Sequence, residues 1–576
     1  MDGADAIEMK AKAKKAKAKT NDAPEIQKLE KVGDVERLPS TEFTRPVDDE
    51  KKYPDTLHLI LATIALMVAV FLVALDVNIL ATATPKITTE FNSLIDLTWY
   101  GGAFLVAQIA MQPTYARLYQ AFPIKHVFVT AIVILGVGSV IGARASSSKM
   151  LIVGRAIQGT GSGGIIAGGL LMISFLVPKP KRPVFLSVIA TMYAVAALVG
   201  PVVGGFFAES KLTWRFCFYI NLPIGFTACS MIIYAFTEPQ RPSTDRPLTE
   251  KLKTLDPLGA AILISWVTCL LLALQRASIP QPWSHAGIWG PLLAFGILFC
   301  IFAIVQYYQK DKAIVPLRIL TQRTVGFSCL FVLSIMLAAT SIVYYLPFYF
   351  QSVKGFSAHK SGIYNLPFVV TNSLFSFAGG VAISKTGIYV PYMWAGSAIL
   401  CIGCGLLYTL NAESSDGSIV GFQLLASAGY GLCVQVPFTA VQVLPEADIP
   451  IGNGLMAFFQ GLGGALAVSA AQTIFSNTLH EQLDVVPNIN ADVIISYGAT
   501  NFVTKVDPNT AHTVQLAYEA ATRDTFMLPI IGAGIALLAS LGVEWRRHYV
   551  SMKGPSSTSS SEPGVTQRDV IGPSKP

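Results

Sequence analysis

Residues 154–164 read Gly154-Arg155-Ala156-Ile157-Gln158-Gly159-Thr160-Gly161-Ser162-Gly163-Gly164 and lie within an apolar run spanning 149–176. A run of this length can cross a bilayer, which takes roughly 20 apolar residues over about 30 Å of hydrocarbon. Arg155 is permanently charged and has to meet partners, water or backbone carbonyls there. Gln158, three residues on, shares its face. An intramembrane charge of this kind marks an ion or substrate pathway. The glycines at 159, 163 and 164 allow neighbouring helices to approach closely. An earlier run, 58–83, carries the second such charge, in Leu75-Asp76-Val77-Asn78-Ile79-Leu80-Ala81-Thr82-Ala83-Thr84-Pro85. A carboxylate withdrawn from water holds its proton more tightly, which makes Asp76 a candidate for proton coupling or gating together with Arg155. Asn78 falls on a different face of the same helix and is a candidate cavity residue.

Composition agrees with a membrane protein. Hydrophobic residues make up 52% of the chain and charged residues 13%, about half the charged share of a soluble domain. Mean hydropathy is +0.53 even with long polar tails included. The net charge of +7 does not indicate nucleic acid, because the basic residues sit mainly between apolar runs, where they orient spans. All eight cysteines fall in or beside apolar runs, so a disulfide framework in exposed loops is not expected. Cys401-x-x-Cys404 sits within an apolar helical pattern and reads as packing.

Fourteen spans are expected, near 58–83, 97–115, 124–144, 149–176, 184–208, 216–236, 257–276, 286–308, 324–350, 361–383, 390–410, 418–438, 453–475 and 525–546. The chain thus divides into an N-terminal six-helix half (57–236), a linker with two extra spans (237–323) and a C-terminal six-helix half (324–547). Polar tails at 1–56 and 548–576 read as disordered, and the Ala/Lys block from Lys10 to Lys19 is a candidate contact for lipid headgroups. Basic clusters at Lys179/Lys181/Arg182, Arg241/Arg246/Lys251/Lys253 and Lys310/Lys312/Arg318/Arg323 fall on alternate connections. The positive-inside rule then puts both termini in the cytosol. The long connection at about 476–524 faces outward, and the acidic pair Glu446 and Asp448 reads as a solvated cytosolic loop.

Two further stretches stand out. The fifth span ends Gly200-Pro201-Val202-Val203-Gly204-Gly205, where a proline removes one backbone hydrogen bond and glycines accept close contact. The ninth contains Tyr344-Tyr345-Leu346-Pro347-Phe348-Tyr349-Phe350-Gln351-Ser352-Val353-Lys354-Gly355. Taken together, these stretches resemble the major facilitator superfamily, and specifically its fourteen-span drug:proton antiporters as they occur in fungi. Leu75–Pro85 is similar to that family's first-span motif, and Arg155 with Gln158 and Gly159 to its fourth-span arginine motif. Gly200-Pro201-x-x-Gly204-Gly205 resembles the fifth-span antiporter motif. The likeness covers roughly residues 57–547.

The resemblance implies an all-α major facilitator fold that works by alternating access, with protons moving inward as a small hydrophobic or amphipathic compound moves out. The proton gradient is then the energy source and no cofactor is implied. The implied location is the plasma membrane, with the vacuolar membrane as the alternative. One departure concerns the connection after the second span, where the family carries a Gly and an Asp followed by basic residues. Here Ala116 and Gln120 stand instead, with Arg117 and Lys125 nearby, so a charge-relay latch is not expected. From side-chain chemistry, Gln108, Gln112, Gln158, Asn372, Gln435 and Gln460 are candidate polar contacts in the cavity, and Tyr344, Tyr345 and Phe348 candidate aromatic walls.

Other function classes fit less well. An importer of a nutrient or siderophore shares the architecture, but the Gly200–Gly205 motif favours export. The seven histidines are scattered without metal-ligand spacing and no nucleophile elbow is present, which argues against an enzyme. A nontransporting sensor would call for a folded cytosolic extension.

Overall fold

Within a bilayer, backbone polar groups must be satisfied inside each segment, so long apolar runs become helices. The computed structural model describes residues 53–91, 96–239, 247–253, 255–277, 285–484 and 508–545. Six long helices come first: α1 Thr56–Phe91, α2 Leu97–Ala121, α3 Ile124–Ala143, α4 Ser148–Leu176, α5 Arg182–Glu209 and α6 Asn221–Ala235. A pair follows, α7 Pro257–Ala277 and α8 Ala286–Gln309. The last group is α9 Arg323–Phe348, α10 Ala358–Thr386, α11 Val390–Tyr408, α12 Asp416–Val434, α13 Ile449–Asp484, α14 Pro508–Thr525 and α15 Met527–Gly542. Serines start several of them, since a short hydroxyl can accept from an orphan N–H of the first turn. Ser147, Ser357 and Ser415 do so for α4, α10 and α12.

Among the described residues, thirteen helical stretches are long and apolar enough to cross a membrane, with α14 and α15 together supplying one, Ala511–Gly542. α2 is not among them, because Gln108 and Gln112 fall in its middle. It nonetheless packs against both α4 and α13, and with it fourteen transmembrane passages result. Two boundaries differ from the sequence reading. α13 continues to Asp484 and α14 is helical from Pro508, so much of the expected 476–524 connection is helix. Both added stretches carry buried apolar residues, including Leu479, Leu483, Val514 and Tyr518, and the Tyr518 ring lies 6.1 Å from that of Phe475. The tails, Arg241, Arg246 and residues 485–507 lie outside the described residues.

The end of the molecule where α1 begins and α15 ends is termed here the terminal face, and the opposite end the distal face. At the distal face Glu90 accepts from Trp214 Nε1 at 2.6 Å and from Arg215 Nη2 at 2.8 Å. The Arg215 guanidinium holds the Glu90 carboxyl below its ordinary range. At the terminal face Asp448 is buried and takes both arms of Arg318, at 2.9 and 3.0 Å. Asp448 is therefore not the solvated loop carboxylate expected; Arg318 is held charged by Asp448 and Asp311. The α7/α8 pair attaches to the last group through Trp266, whose ring meets Phe295, Phe299 and Phe302 and also Phe458 of α13. All eight cysteines are free, and Cys404 is buried in helix packing.

The glycines show where helices touch. A Cβ on Gly159 of α4 would lie 2.2 Å from the Phe104 carbonyl of α2, and one on Gly163 2.7 Å from the Gln108 carbonyl. On α12, a Cβ at Gly431 would lie 2.4 Å from the Asn372 carbonyl of α10. The second and fourth helices of each six-helix group thus meet through the same device. Gly200 of α5 packs on α1, where a Cβ would lie 2.6 Å from Asn78 Cβ, and Gly204 is buried. Gly205, grouped with them in the sequence reading, has open space around it, and Pro201 is exposed on the helix surface.

This contrast gives a clean test. Gly159→Ala is expected to destabilise the protein by about 3 kcal/mol or more, because backbone must move to admit the methyl. Gly205→Ala should stay within about 1 kcal/mol of wild type. Thermal unfolding of the two purified variants in detergent, followed by size-exclusion, measures the difference.

Candidate functional site

Asp76 and Arg155 are each 1% exposed, and Arg155 Nη1 donates to Asp76 Oδ2. Three further helices complete the cluster. Gln158 Nε2 donates to Asp76 Oδ1 at 2.9 Å and to Ser139 Oγ of α3 at 2.8 Å. Asn221 Nδ2, at the start of α6, reaches Asp76 Oδ1 at 2.6 Å and Ser139 Oγ at 3.1 Å. Arg155 also donates to Gln158 Oε1 at 2.9 Å and, through Nε, to the Tyr100 carbonyl of α2 at 2.8 Å. The Phe104 ring lies 4.4 Å from the guanidinium carbon. Burying either charge alone would cost several kcal/mol; together, with these hydrogen bonds around them, the pair is tolerated. The network therefore ties α1, α2, α3, α4 and α6 through one carboxylate.

The C-terminal group has no counterpart at the matching position. Gly159 and Gly431 occupy the same role, and four residues before Gly431 stands Ser427, whose hydroxyl donates to the Leu424 carbonyl of its own helix. The packing is repeated in both groups while the charge sits in one.

Between the groups lies a cavity of 360 Å³, within the usual range for small-molecule sites. Asn78, Gln108, Gln112, Tyr344, Asn372, Gln435 and Gln460 all line it, as the sequence reading expected. Gln158 does not: it is fully buried in the Asp76 network. Tyr345 and Phe348 also stand apart. They stack on each other at 5.4 Å and on Phe475, and the Tyr345 hydroxyl donates to Gln472 at 2.8 Å. Helical spacing explains this, since Tyr344 and Tyr345 point about 100° apart. Sequence reasoning missed Tyr193, Tyr430, Thr191, Thr340 and Ser376 in the lining. It also missed Ser139 and Asn221 in the network, because an isolated serine or asparagine gives no signal until helix rotation is known. Asp76 lies in the stretch of α1 that supplies Ala74, Val77 and Asn78 to the cavity, yet its own side chain is directed at Arg155.

The cavity is closed toward the terminal face. α13 packs on α2, where Cβ atoms on Gly454 and Gly461 would lie 2.5 Å from Ala116 Cβ and 2.7 Å from Ile109 Cγ1. α10 packs on α5, where a Cβ on Gly380 would lie 2.7 Å from the Pro183 carbonyl. Hydrogen bonds reinforce these seams. Gln442 Oε1 accepts from Ser174 Oγ at 2.7 Å and from Arg182 Nη1 at 3.1 Å. Gln120 Nε2 donates to the Ala447 carbonyl at 3.0 Å, and Ser384 donates to the Pro180 carbonyl. The last turns of α2 therefore fasten without the family aspartate: Arg117 donates to the Asp311 and Ala313 carbonyls and to Gln120 Oε1.

Residues 66–468 match the family described as the Major Facilitator Superfamily. The chain belongs to that superfamily. It is 40% identical over 496 residues to the efflux pump aflT of Aspergillus parasiticus, covering 85% of this chain and 96% of that one. It is 39% identical to the MFS-type transporter ltbE of Aspergillus luteorubrus, covering 87% and 92%. It is 38% identical to the MFS-type efflux pump MFS1 of Trichophyton rubrum, covering 86% and 92%. Among solved structures, the human organic anion transporter MFSD10 superposes with a TM-score of 0.55 at 15% identity, covering 84% of this chain and 99% of that chain. The proton:xylose symporter XylE gives 0.54 at 15% identity, covering 84% and 95%. At that identity these two bear on the fold alone. This superfamily member is thus an all-α, multi-pass membrane transporter.

The buried pair predicts non-additive mutations. Asp76→Asn alone or Arg155→Leu alone leaves one charge buried without its counter-ion, a loss of about 3–5 kcal/mol. The double variant Asp76→Asn/Arg155→Leu should be more stable than the less stable of the two single variants. Thermal unfolding of the four purified proteins checks the sign of that coupling.

Proposed function

We propose that this transporter exports small hydrophobic or amphipathic organic compounds in exchange for protons, with Asp76 and Arg155 as the coupling pair. The observation that carries the reading is the position of Asp76: its side chain joins five helices at Arg155, while its helix neighbours line the central cavity. Export itself is supported by the similarity to aflT and MFS1, both named as efflux pumps, and by the close fit of Gly200 on Asn78.

In this reading the terminal face is cytosolic, as the basic residues Lys179, Lys181, Lys310, Lys312 and Arg318 favour. Both termini are then cytosolic and the described state is closed to the cytosol, with the plasma membrane as the site of action. A proton taken up on Asp76 removes the charge opposite Arg155. The guanidinium then relies on the Tyr100 carbonyl, Gln158 and the Phe104 ring. That loss is transmitted along α1 and α4, which pack on α5 and α2, the helices that form the seams. Opening toward the cytosol further requires Gln442 to release Ser174 and Arg182.

The test is accumulation of a fluorescent hydrophobic compound in transporter-deficient yeast expressing the full chain, Asp76→Asn or Arg155→Ala, with and without a protonophore. Wild type should lower accumulation several-fold, and either substitution or the protonophore should restore it. Lowered accumulation that survives both Asp76→Asn and the protonophore would sink proton coupling. Raised accumulation would instead mean import.

A further inference from the structure

The central cavity has an unusual chemical balance. Six carboxamides line it: Asn78, Gln108, Gln112, Asn372, Gln435 and Gln460. Among the described residues, no Asp, Glu, Lys, Arg or His side chain reaches its wall. Asp76 belongs to the adjacent stretch of α1, but its Oδ1 is held by Gln158 and Asn221 and its Oδ2 by Arg155. It is not presented to a ligand in the cavity.

Several lining residues carry buried polar atoms without partners. Gln112 is 3% exposed and Ser376 6% exposed, and both line the cavity. Among the described residues, Gln112 Oε1, Asn372 Oδ1 and Ser376 Oγ meet no hydrogen-bond partner. Gln112 lies on α2, and Asn372 and Ser376 on α10, so these atoms come from both six-helix groups. Buried acceptors of this kind are satisfied in nearly all folded proteins, by protein, water or ligand.

Resting on the export reading above, we propose that the cavity selects uncharged, ring-containing compounds that carry free hydroxyl or amide N–H donors, and that it rejects lipophilic cations and organic anions. A carboxamide wall accepts from a hydroxyl and donates to a carbonyl without a counter-charge. An ion entering the same wall gives up its hydration and gains no opposite charge. Tyr193, Tyr344 and Tyr430 offer ring faces to a cation, but that attraction is small beside the desolvation of a whole ion. The rings instead suit the flat faces of an uncharged ring system. The donor requirement rests on these acceptors, which are closed off in the described state: a compound with a donor gains by drawing the Gln112 or Asn372 carboxamide round to meet it, and one without a donor leaves their oxygens unpaired.

The experiment uses proteoliposomes containing the purified full chain, with an acidic lumen to drive uptake. Two scaffolds, a steroid and a flavone, are each offered in hydroxylated, fully O-methylated, sulfated and quaternary-ammonium forms. The expected result is saturable, gradient-dependent uptake of the hydroxylated forms, about tenfold weaker apparent affinity for the O-methylated forms, and no inhibition by either charged form. In Gln112→Leu and, independently, Asn372→Leu, the ratio of hydroxylated to O-methylated affinity should fall toward one, a change that a general packing defect would not produce. Gradient-dependent uptake that favours the charged forms, or that ignores O-methylation, overturns this inference and leaves the export reading standing. Absence of gradient-dependent uptake for every form overturns the export reading, and the inference with it.

Discussion

The N-terminal six-helix group is organised around a charge that could not exist there alone. Arg155 is fully buried in a helix that is mostly enclosed by others, and its cation is matched by one carboxylate, on α1. Because a buried charge without a counter-ion is so costly, the Asp76–Arg155 pair fixes the rotation of α1 against α4. Ser139, Gln158 and Asn221 then take up the remaining capacity of the carboxylate and its neighbours. The close approach of α4 to α2 at Gly159 brings the Tyr100 carbonyl within reach of the guanidinium. The glycines and the ion pair are parts of one constraint: without the first, the second could not be satisfied.

The same constraint divides labour across α1. One side of the helix faces the charge network, and the other brings Asn78 to the cavity and to Gly200. Charge and cavity are thereby kept apart by the width of a helix. Between the six-helix groups the opposite chemistry prevails, with neutral amides and hydroxyls set among apolar walls. α2 belongs to both environments, and its low hydropathy follows from the glutamines it turns toward the cavity.

Closure at the terminal face uses mostly neutral groups. Gln442 gathers Ser174 and Arg182, Gln120 reaches a backbone carbonyl, and Arg117 is satisfied by the carbonyls of Asp311 and Ala313. Each of these bonds is modest on its own, on the order of 1 kcal/mol or somewhat more where an arginine donates. Contacts of that size can hold one state and still be exchanged for others, as alternating access demands. The missing family aspartate after α2 thus leaves the connection fastened by a different set of partners.

Sequence alone determined the class of molecule, the helical passages and the two residues at the centre of the network. Those are local or compositional facts: apolar length, charge where lipid forbids it, and glycine at close-packing intervals. Seven of the ten residues it named as cavity candidates, six amides and Tyr344, stand on the cavity wall. It misjudged Gln158, Tyr345 and Phe348, since a difference of about 100° per residue decides whether a side chain meets a cavity, a network or another ring. Asp448 was misread because its partner, Arg318, lies 130 residues away in the chain. Ser139 and Asn221 carry no distinguishing local pattern. Their role exists only once α3 and α6 are rotated toward Asp76, and rotation is set by packing among helices, which only the tertiary structure decides.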